Sequence, residues 1–416
     1  MQYGFFLNSL LGSFATLLFT SSQIVAISPS INPSINSSLP TDCKSRSKKT
    51  NFLIVAGGGN PSMNEIALEK NVLYFQRTLK TLGYNPANAS IFFANGNDGQ
   101  ATVRYIDENN RQQFKVPDIP YLQEAATLEN FHIWLEKTKN KKSKNPIFFY
   151  FTGHGIPAHL ILWENQHLSV QQLAIQLDQL SQDTPVVVMM SQCYAGSFAN
   201  FIYQGGRPSN PIALQTRCGF FATIATATSV GCTPEVNEAD YKDYSSSFFA
   251  GLSGVNRIGQ KVASADYDQD GRVSFREAHA FAKIDEKTTD LPISTSESWL
   301  QKQIPRTELK QLLEQPIIDF IDISRPEQKY VINSIVEMFG FDKYRSYREN
   351  TVKFFYPQQL GELQKKPITK IEKAYLSRLG MELSNIGVEK QIRSSGDKKA
   401  IAILDRLLKC EGGSWE

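Results

Sequence analysis

The sequence carries almost no net charge for its size. Its 44 Lys and Arg residues nearly balance 41 Asp and Glu, which leaves a formal charge of +3 over 416 residues. A nucleic-acid-binding surface needs clustered positive charge, so nucleic acid is excluded as the main partner. The basic run at 137–145, KTKNKKSKN, is interpreted as a solvated loop. With 41% hydrophobic and 20% charged residues, the chain is predicted to be globular rather than disordered.

A phosphate-binding motif and internal repeats are also missing. The three glycines at 57–59 are not followed by Gly-Lys-Ser/Thr, and they do not fit the pattern GxGxxG. They are therefore not interpreted as a nucleotide site. No repeat stands out, and the one low-complexity stretch is SPSINPSINSSLP near the N-terminus.

The apolar run at 4–26 has no Lys or Arg before it. Its length and small residues still favour a secretory signal, and we predict a signal peptide at 1–28 and a flexible linker at 29–50. An uncleaved membrane anchor is the alternative, and only in that case is a membrane a partner. Both interpretations place the body of the protein outside the cytoplasm, either secreted or periplasmic.

Cysteines are few, and their number is odd. The five are Cys43, Cys193, Cys218, Cys232 and Cys410. An oxidising compartment favours pairs plus one leftover thiol. If Cys218 pairs with Cys232 and Cys43 with Cys410, then Cys193 remains free, although spacing alone does not fix the connectivity.

Strand-like and helix-like segments alternate along the first part of the chain. Apolar runs predict strands at 51–59, 89–96, 147–152, 184–193 and 218–228. Helical spacing predicts helices at 64–83, 127–139 and 168–181, and another that begins at 245. The polar segment 97–120 is predicted to be a long loop. This alternation predicts an α/β fold in three layers, with a mostly parallel sheet between helices. We predict one domain at 51–300 and a mainly helical region at 301–416.

Two predicted strands end in residues that can do chemistry together. His154 lies two residues past the strand IFFYFT, and Cys193 lies two residues past the strand VVVMMS. If these strands are neighbours, the imidazole and the thiol meet at the carboxyl edge of the sheet, where reactive groups gather in such folds. An imidazolium and the start of the next helix, at AGSFANF, would both favour the Cys193 thiolate.

This pairing predicts nucleophilic catalysis of acyl transfer, and the family resemblance described in the next paragraph implies that the bond cleaved is a peptide bond. Cys193 attacks the carbonyl carbon, and His154 protonates the leaving amine and then activates water. The backbone N–H groups of Gly155 and Cys193 are expected to hold the oxyanion. No third catalytic residue is identified, and no cofactor is expected for catalysis.

The segments FYFTGHG (149–155) and MMSQCYAGSF (189–198) resemble those of the legumain-like and caspase-like cysteine peptidases. The legumain type, peptidase C13, looks closest, and the resemblance spans about 50–285. It implies a caspase-like sheet, a cysteine endopeptidase activity on protein or peptide substrates, and a Cys193–His154 dyad. It also implies that 301–416 is an inhibitory region, with a protein-docking module as the alternative.

The resemblance is weakest in the specificity pocket. Legumain-type pockets carry an arginine after the first strand, where this chain has Asn64 or Glu65, and an acidic residue after the cysteine, where it has Tyr194. Glu65, Tyr194 and Glu235 are the candidate substrate-binding residues, and a basic P1 residue is one option. The sequence leaves the P1 residue and the oligomeric state open.

Three other functions remain as alternatives. One is an inactive peptidase fold that serves as a binding or adaptor protein. Another is the transamidase chemistry of a legumain-type relative. The third is a serine hydrolase, because ATSVG (227–231) resembles a nucleophile elbow. The later histidine that such a triad needs is His279, which lies within the helix behind the acidic loop described next.

The segment DYDQDGRVSFRE (266–277) fits the twelve-residue calcium loop. Its predicted ligands are Asp266, Asp268, Asp270, the backbone carbonyl of Arg272, Ser274 and Glu277. A single loop of this kind is expected to bind Ca²⁺ as a structural brace. The alternative is a solvated acidic turn.

Overall fold

The computed structural model describes residues 50–141, 144–355 and 368–415. The predicted signal peptide, the linker before Thr50 and Cys43 lie outside these residues. The strands within the described residues are, in chain order, β1 (Asn51–Gly57), β2 (Ser90–Phe93), β3 (Val103–Ile106), β4 (Gln112–Lys115), β5 (Ile147–Gly153), β6 (Gly155–Ile156), β7 (His159–Ile161), β8 (His167–Ser169), β9 (Val186–Met190), β10 (Arg217–Phe221) and β11 (Ile293–Ser294).

The described helices surround the strands and then dominate the chain after β11. They are α1 (Ile66–Thr81), α2 (Leu128–Lys139), α3 (Val170–Asp178), α4 (Tyr244–Ser253), α5 (Phe275–Asp285), α6 (Thr295–Leu300), α7 (Arg306–Leu312), α8 (Ile317–Ile321), α9 (Pro326–Phe339), α10 (Tyr347–Phe355), α11 (Lys370–Ser394) and α12 (Lys398–Glu411). None of these helices is long and apolar enough to cross a membrane.

A central sheet in the order β11-β10-β9-β5-β1-β2 forms the middle layer. Its strand pairs are parallel except β10–β11, which is antiparallel. Alternate side chains of β1 enter two different apolar clusters: Leu53 and Val55 one, Phe52 and Ile54 the other. A strand buried on both faces needs such a continuous apolar run. The predicted α/β fold with a helical C-terminal region is confirmed.

The long loop predicted at 97–120 contains regular structure instead. Strands β3 and β4 form an antiparallel hairpin in which Val103 is paired with Lys115. The turn is closed by Asp107, whose backbone N–H donates to the carbonyl of Arg111 at 2.9 Å. The prediction failed because the hairpin is mostly polar, and only Val103 of its first strand is buried.

The predicted cysteine pairing is wrong in the part that can be compared. Cys218 on β10 is bonded to Cys410 on α12, across a sequence separation of 192 residues, while Cys193 and Cys232 are free. Spacing along the chain does not fix the partner of Cys218, because the bond depends on where α12 packs. The prediction that Cys193 carries a free thiol is confirmed.

Buried polar bonds join α11 and α12 to the sheet domain. Arg378 of α11 is fully buried, and its guanidinium donates to the backbone carbonyls of Lys283 (2.7 Å) and Asp290 (2.8 and 3.0 Å) and to the carboxylate of Glu286 (2.9 Å). Glu411 of α12 accepts from the N-terminal turn of α6. The C-terminal region thus forms part of the same compact unit as the sheet.

Candidate active site

The strand register brings His154 and Cys193 to the same edge of the sheet. Strands β5 and β9 are parallel neighbours, and Phe151 pairs with Met190. His154 and Cys193 each follow three residues after this pair, so both leave the sheet at the same level. The predicted adjacency of the two strands is confirmed. We call this carboxyl end, with His154, Cys193 and the residues around them, the reactive edge.

Gly155 lets the two loops of the reactive edge touch. A Cβ atom at this position would lie 2.5 Å from Cγ of Gln192 and 2.7 Å from the carbonyl oxygen of Cys193. Any side chain would therefore push the histidine loop away from the cysteine loop. The glycine after His154 is required by this close approach of backbone to backbone.

A carboxylate holds the imidazole of His154. Nε2 of His154 lies 2.9 Å from Oε2 of Glu65, which is the residue immediately before α1. The other carboxylate oxygen, Oε1, accepts from Nη2 of Arg104 at 2.6 Å. Glu65 is 5% exposed, so its charge is compensated locally rather than by water.

Glu65 was predicted as a substrate-binding residue, and the structure gives it a different place. Both of its carboxylate oxygens are already bonded, one to His154 and one to Arg104. A carboxylate used in this way has less capacity left for a basic substrate side chain, because both oxygens already accept a hydrogen bond within the protein. Its position matches the third residue of a catalytic triad, which orients the base.

These contacts favour the charged forms of both partners. Burial lowers the pKa of His154, but hydrogen bonds to Cys232 and Glu65 and the negative charge of Glu65 outweigh it, and the net pKa is raised. Burial raises the pKa of Glu65, but the bonds to His154 and Arg104 outweigh it, and the net pKa is lowered. An imidazolium beside a carboxylate is therefore the stable form at neutral pH.

Cys232 is a neighbour of His154 that the sequence did not indicate. The ligand atoms of Glu65, His154 and Cys232 all lie within 4.8 Å of one another, and Cys232 is exposed. Its loop is joined to the start of α1, because the carbonyl of Thr233 accepts from the N–H of Ala67 at 3.3 Å.

Cys193 lies against a second loop. Its Sγ accepts from the N–H of Ser229 at 3.3 Å and is 3.5 Å from the carbonyl of the same residue. The N–H of Val230 donates to the buried Asp290 at 3.0 Å, and the backbone carbonyl of Asp290 accepts from Arg378. A continuous series of contacts thus runs from the C-terminal helix α11 to the thiol.

A comparison with protein families identifies the segment that carries both residues. Residues 52–207 match the Peptidase C13 family. The segment contains β1, β5 and β9, and with them His154 and Cys193. This match confirms the predicted resemblance to the legumain-type, C13 cysteine peptidases.

The other two comparisons add little. The search of curated protein sequences gave no match. Among solved structures, the chain is similar to caspase-1 from Spodoptera frugiperda at 13% sequence identity, covering 53% of this chain and 74% of that one, with a TM-score of 0.30. We draw no conclusion on function from a similarity of this size.

Two further predicted substrate-binding residues flank the reactive edge. Tyr194 directly follows Cys193 and has a left-handed backbone with φ of 58°. Its N–H donates to the carbonyl of Ala227 at 2.8 Å, which joins the Cys193 loop to the loop of Ser229. Glu235 is exposed and follows Cys232 by three residues.

The acidic loop at 266–277 adopts a tight turn in which carboxylates converge. Oxygens of Asp266, Asp268 and Glu277 lie within 4.8 Å of one another. The carboxylate of Asp270 instead bonds to Arg272, whose Nε donates to it at 3.1 Å.

Backbone N–H groups account for some of the carboxylate bonds in this loop. Asp266 accepts from Gly271 at 3.0 Å, and Glu277 accepts from Tyr267 at 2.7 Å and from Ser274 at 2.8 Å. The hydroxyl of Ser274 is bonded to Glu277 as a cap of α5. Of the predicted set, the structure therefore brings together the side chains of Asp266, Asp268 and Glu277.

Proposed function

We propose that this chain is a cysteine endopeptidase of the C13 type. The observation that supports this most directly is the register of β5 and β9, since it delivers His154 and Cys193 from two adjacent strands. The bond from Glu65 to His154 adds a residue that orients and charges the imidazole. The family match over 52–207 supports the same chemistry.

The reaction follows from the arrangement of these groups. The Cys193 thiolate attacks the scissile carbonyl carbon, and a tetrahedral intermediate forms whose oxyanion is held by the N–H groups of Gly155 and Cys193. His154 gives its proton to the leaving amine, and a thioester remains on Cys193. His154 then takes a proton from water, which attacks the thioester and releases the carboxylic acid.

Glu65 acts through His154 rather than on the substrate. Its carboxylate keeps the imidazole in one orientation and favours the protonated form, which is the form that donates to the leaving amine. Arg104 in turn fixes the carboxylate at 2.6 Å.

The test is a comparison of the purified wild-type chain with Cys193→Ala and His154→Ala on a peptide library. Each substitution should lower kcat on the order of 10⁶-fold, since removing one member of such a unit costs nearly as much as removing all. The Tm values of the variants should stay close to that of the wild type. Turnover by Cys193→Ala at the wild-type rate would end the proposal.

A second measurement distinguishes Cys193 from Cys232, which are the free cysteines among the described residues. An acyloxymethyl ketone probe should label Cys193 faster than a free thiol, and peptide mapping of the labelled protein should locate the probe there. Labelling confined to Cys232 would contradict the choice of nucleophile. A labelling rate equal to that of a free thiol would instead support the inactive binding protein.

We also propose that the acidic loop binds Ca²⁺ and stabilises the fold. Carboxylate and carbonyl oxygens are the ligands that calcium prefers, and the convergence of Asp266, Asp268 and Glu277 supplies them. The loop is part of the scaffold, because Tyr267 stacks on Tyr330 of α9 with ring centroids 4.2 Å apart.

Calcium at 100 times its Kd should stabilise the wild-type protein by about 2.7 kcal/mol. Asp268→Ala should lose most of this increase, while its stability in chelator should match that of the wild type. Arg272→Ala is the matched control, because the backbone carbonyl of that residue remains, and it should keep the calcium effect. Equal Tm values of the wild type in calcium and in chelator would contradict the site.

A further inference from the structure

Three different kinds of metal-binding group meet at the reactive edge. They are the carboxylate of Glu65, the imidazole of His154 and the thiol of Cys232, whose ligand atoms lie within 4.8 Å of one another. The proposed reaction uses the first two and gives Cys232 no part.

The chemistry of this set is that of a zinc site. Zn²⁺ takes sulfur from cysteine, nitrogen from histidine and oxygen from carboxylates, and sites with three protein ligands keep a fourth position for water. Ca²⁺ prefers oxygen alone, so the two proposed sites differ in the ions they select.

The surroundings of the three groups resemble those of a metal site. Arg104 bonds to Oε1 of Glu65, which leaves Oε2 directed to His154. Ligands held by such outer hydrogen bonds bind metals more tightly. The loop of Cys232 is also fixed, because the carbonyl of Pro234 accepts from the N–H of Ile106 at 2.9 Å.

The site is open to solvent on one side. Cys232 is exposed, and the side chain of His154 is 21% exposed. An ion can therefore reach the ligands without unfolding of the sheet.

We propose that Glu65, His154 and Cys232 bind Zn²⁺ and that this ion switches the peptidase off. On binding, the Cys232 thiol and the His154 imidazolium each release a proton to solvent, and the bond between His154 and Glu65 is replaced by two bonds to the metal. No oxidation or reduction takes place. An imidazole bound to zinc cannot protonate the leaving amine. The inhibition depends on the proposed function, whereas the binding does not.

Binding is tested by Co²⁺ titration of full-length Cys193→Ala protein. A thiolate-to-cobalt charge-transfer absorption should appear, saturate at one equivalent and be displaced by Zn²⁺. The double variant C193A/C232S should lack it, and C193A/D268A should retain it, because the acidic loop contains no sulfur. Absence of the absorption from Cys193→Ala, or its persistence in C193A/C232S, would overturn the proposal.

Inhibition is tested on the active chain. Zn²⁺ should stop peptide hydrolysis, and a chelator should restore it. The inhibition constant for Cys232→Ser should rise at least tenfold relative to the wild type, with each rate normalised to the zinc-free rate of the same variant. An unchanged inhibition constant would overturn the regulatory role even if cobalt binds. If no substrate is cleaved by the wild type, the proposed function fails while the cobalt result still decides the metal site.

Discussion

The reactive edge and the helices α11 and α12 are held in place by different kinds of contact. At the edge, His154 and Cys193 lie in loops, are partly exposed and are held by a few hydrogen bonds, among them those to Glu65 and Ser229. In the helices, Arg378 and Glu382 are almost fully buried, and their charges are compensated by Glu286 and Lys283 of the sheet domain. The reactive groups thus lie on loops, whereas the buried charge pairs involve residues that are far from those loops in sequence.

The two regions are connected through Asp290. Arg378 donates to the backbone carbonyl of Asp290. The side chain of Asp290 accepts from the N–H of Val230, which lies beside the Cys193 loop. Inhibition by 301–416 remains a prediction. The contacts give these residues a supporting role, since removing them would take away the buried partners of Glu286 and Lys283.

The largest expected effect comes from breaking this support. Arg378→Met should lower the free energy of unfolding by about 3–5 kcal/mol, because the buried carboxyl of Glu286 and the buried carbonyls of Lys283 and Asp290 would lose their common donor. Chemical denaturation measures the change. Arg393→Met on the same helix is the matched control, because the side chain of Arg393 is 42% exposed and an exposed pair contributes only about 0–1 kcal/mol. Equal losses in the two variants would remove the distinction between the regions.

A smaller loss of stability is expected when the disulfide bond between β10 and α12 is removed. The double substitution C218A/C410A should cost about 2–5 kcal/mol. Dithiothreitol should lower the Tm of the wild type towards that of the double variant and leave the double variant unchanged. A reductant effect of the same size on both proteins would show that this disulfide is not what fixes α12.

Glu65→Gln should have the smallest effect on the stability of the fold. Its main effect should be on the pH dependence of activity at the reactive edge. The raised pKa of His154 depends partly on the Glu65 carboxylate, so the substitution should lower that pKa. His154 then loses its proton at lower pH, and the basic limb of the kcat/KM profile should move to lower pH. Glu69→Gln is the control, because that buried carboxylate pairs with Lys115 instead. An unmoved basic limb in Glu65→Gln would argue against the positioning role.

The strands and the pairing of His154 with Cys193 could be predicted because their signals are local. Continuous apolar runs mark β5 and β9, and each run ends a fixed number of residues before the reactive group. Parallel neighbouring strands then bring these groups together without further information.

Other features of the edge could not be predicted because they depend on distant contacts. Glu65 precedes His154 by 89 residues, and an acidic residue at the start of a helix is common for electrostatic reasons alone. Cys232 lies near His154 because its loop folds back over α1. The amino-acid composition of that loop does not indicate where the loop will pack. The bond of Cys218 to Cys410 has the same origin.

The position of Trp415 has a consequence for how the chain folds. Its ring packs against Phe52 of β1 and Phe148 of β5, with centroids 5.0 and 4.9 Å apart, and its carbonyl accepts from Tyr84, 331 residues away in sequence. Contacts of such long range are slow to form. The aromatic interior beside the first strand can therefore close only after synthesis has reached residue 415, and until then Phe52 and Phe148 lack one of their packing partners.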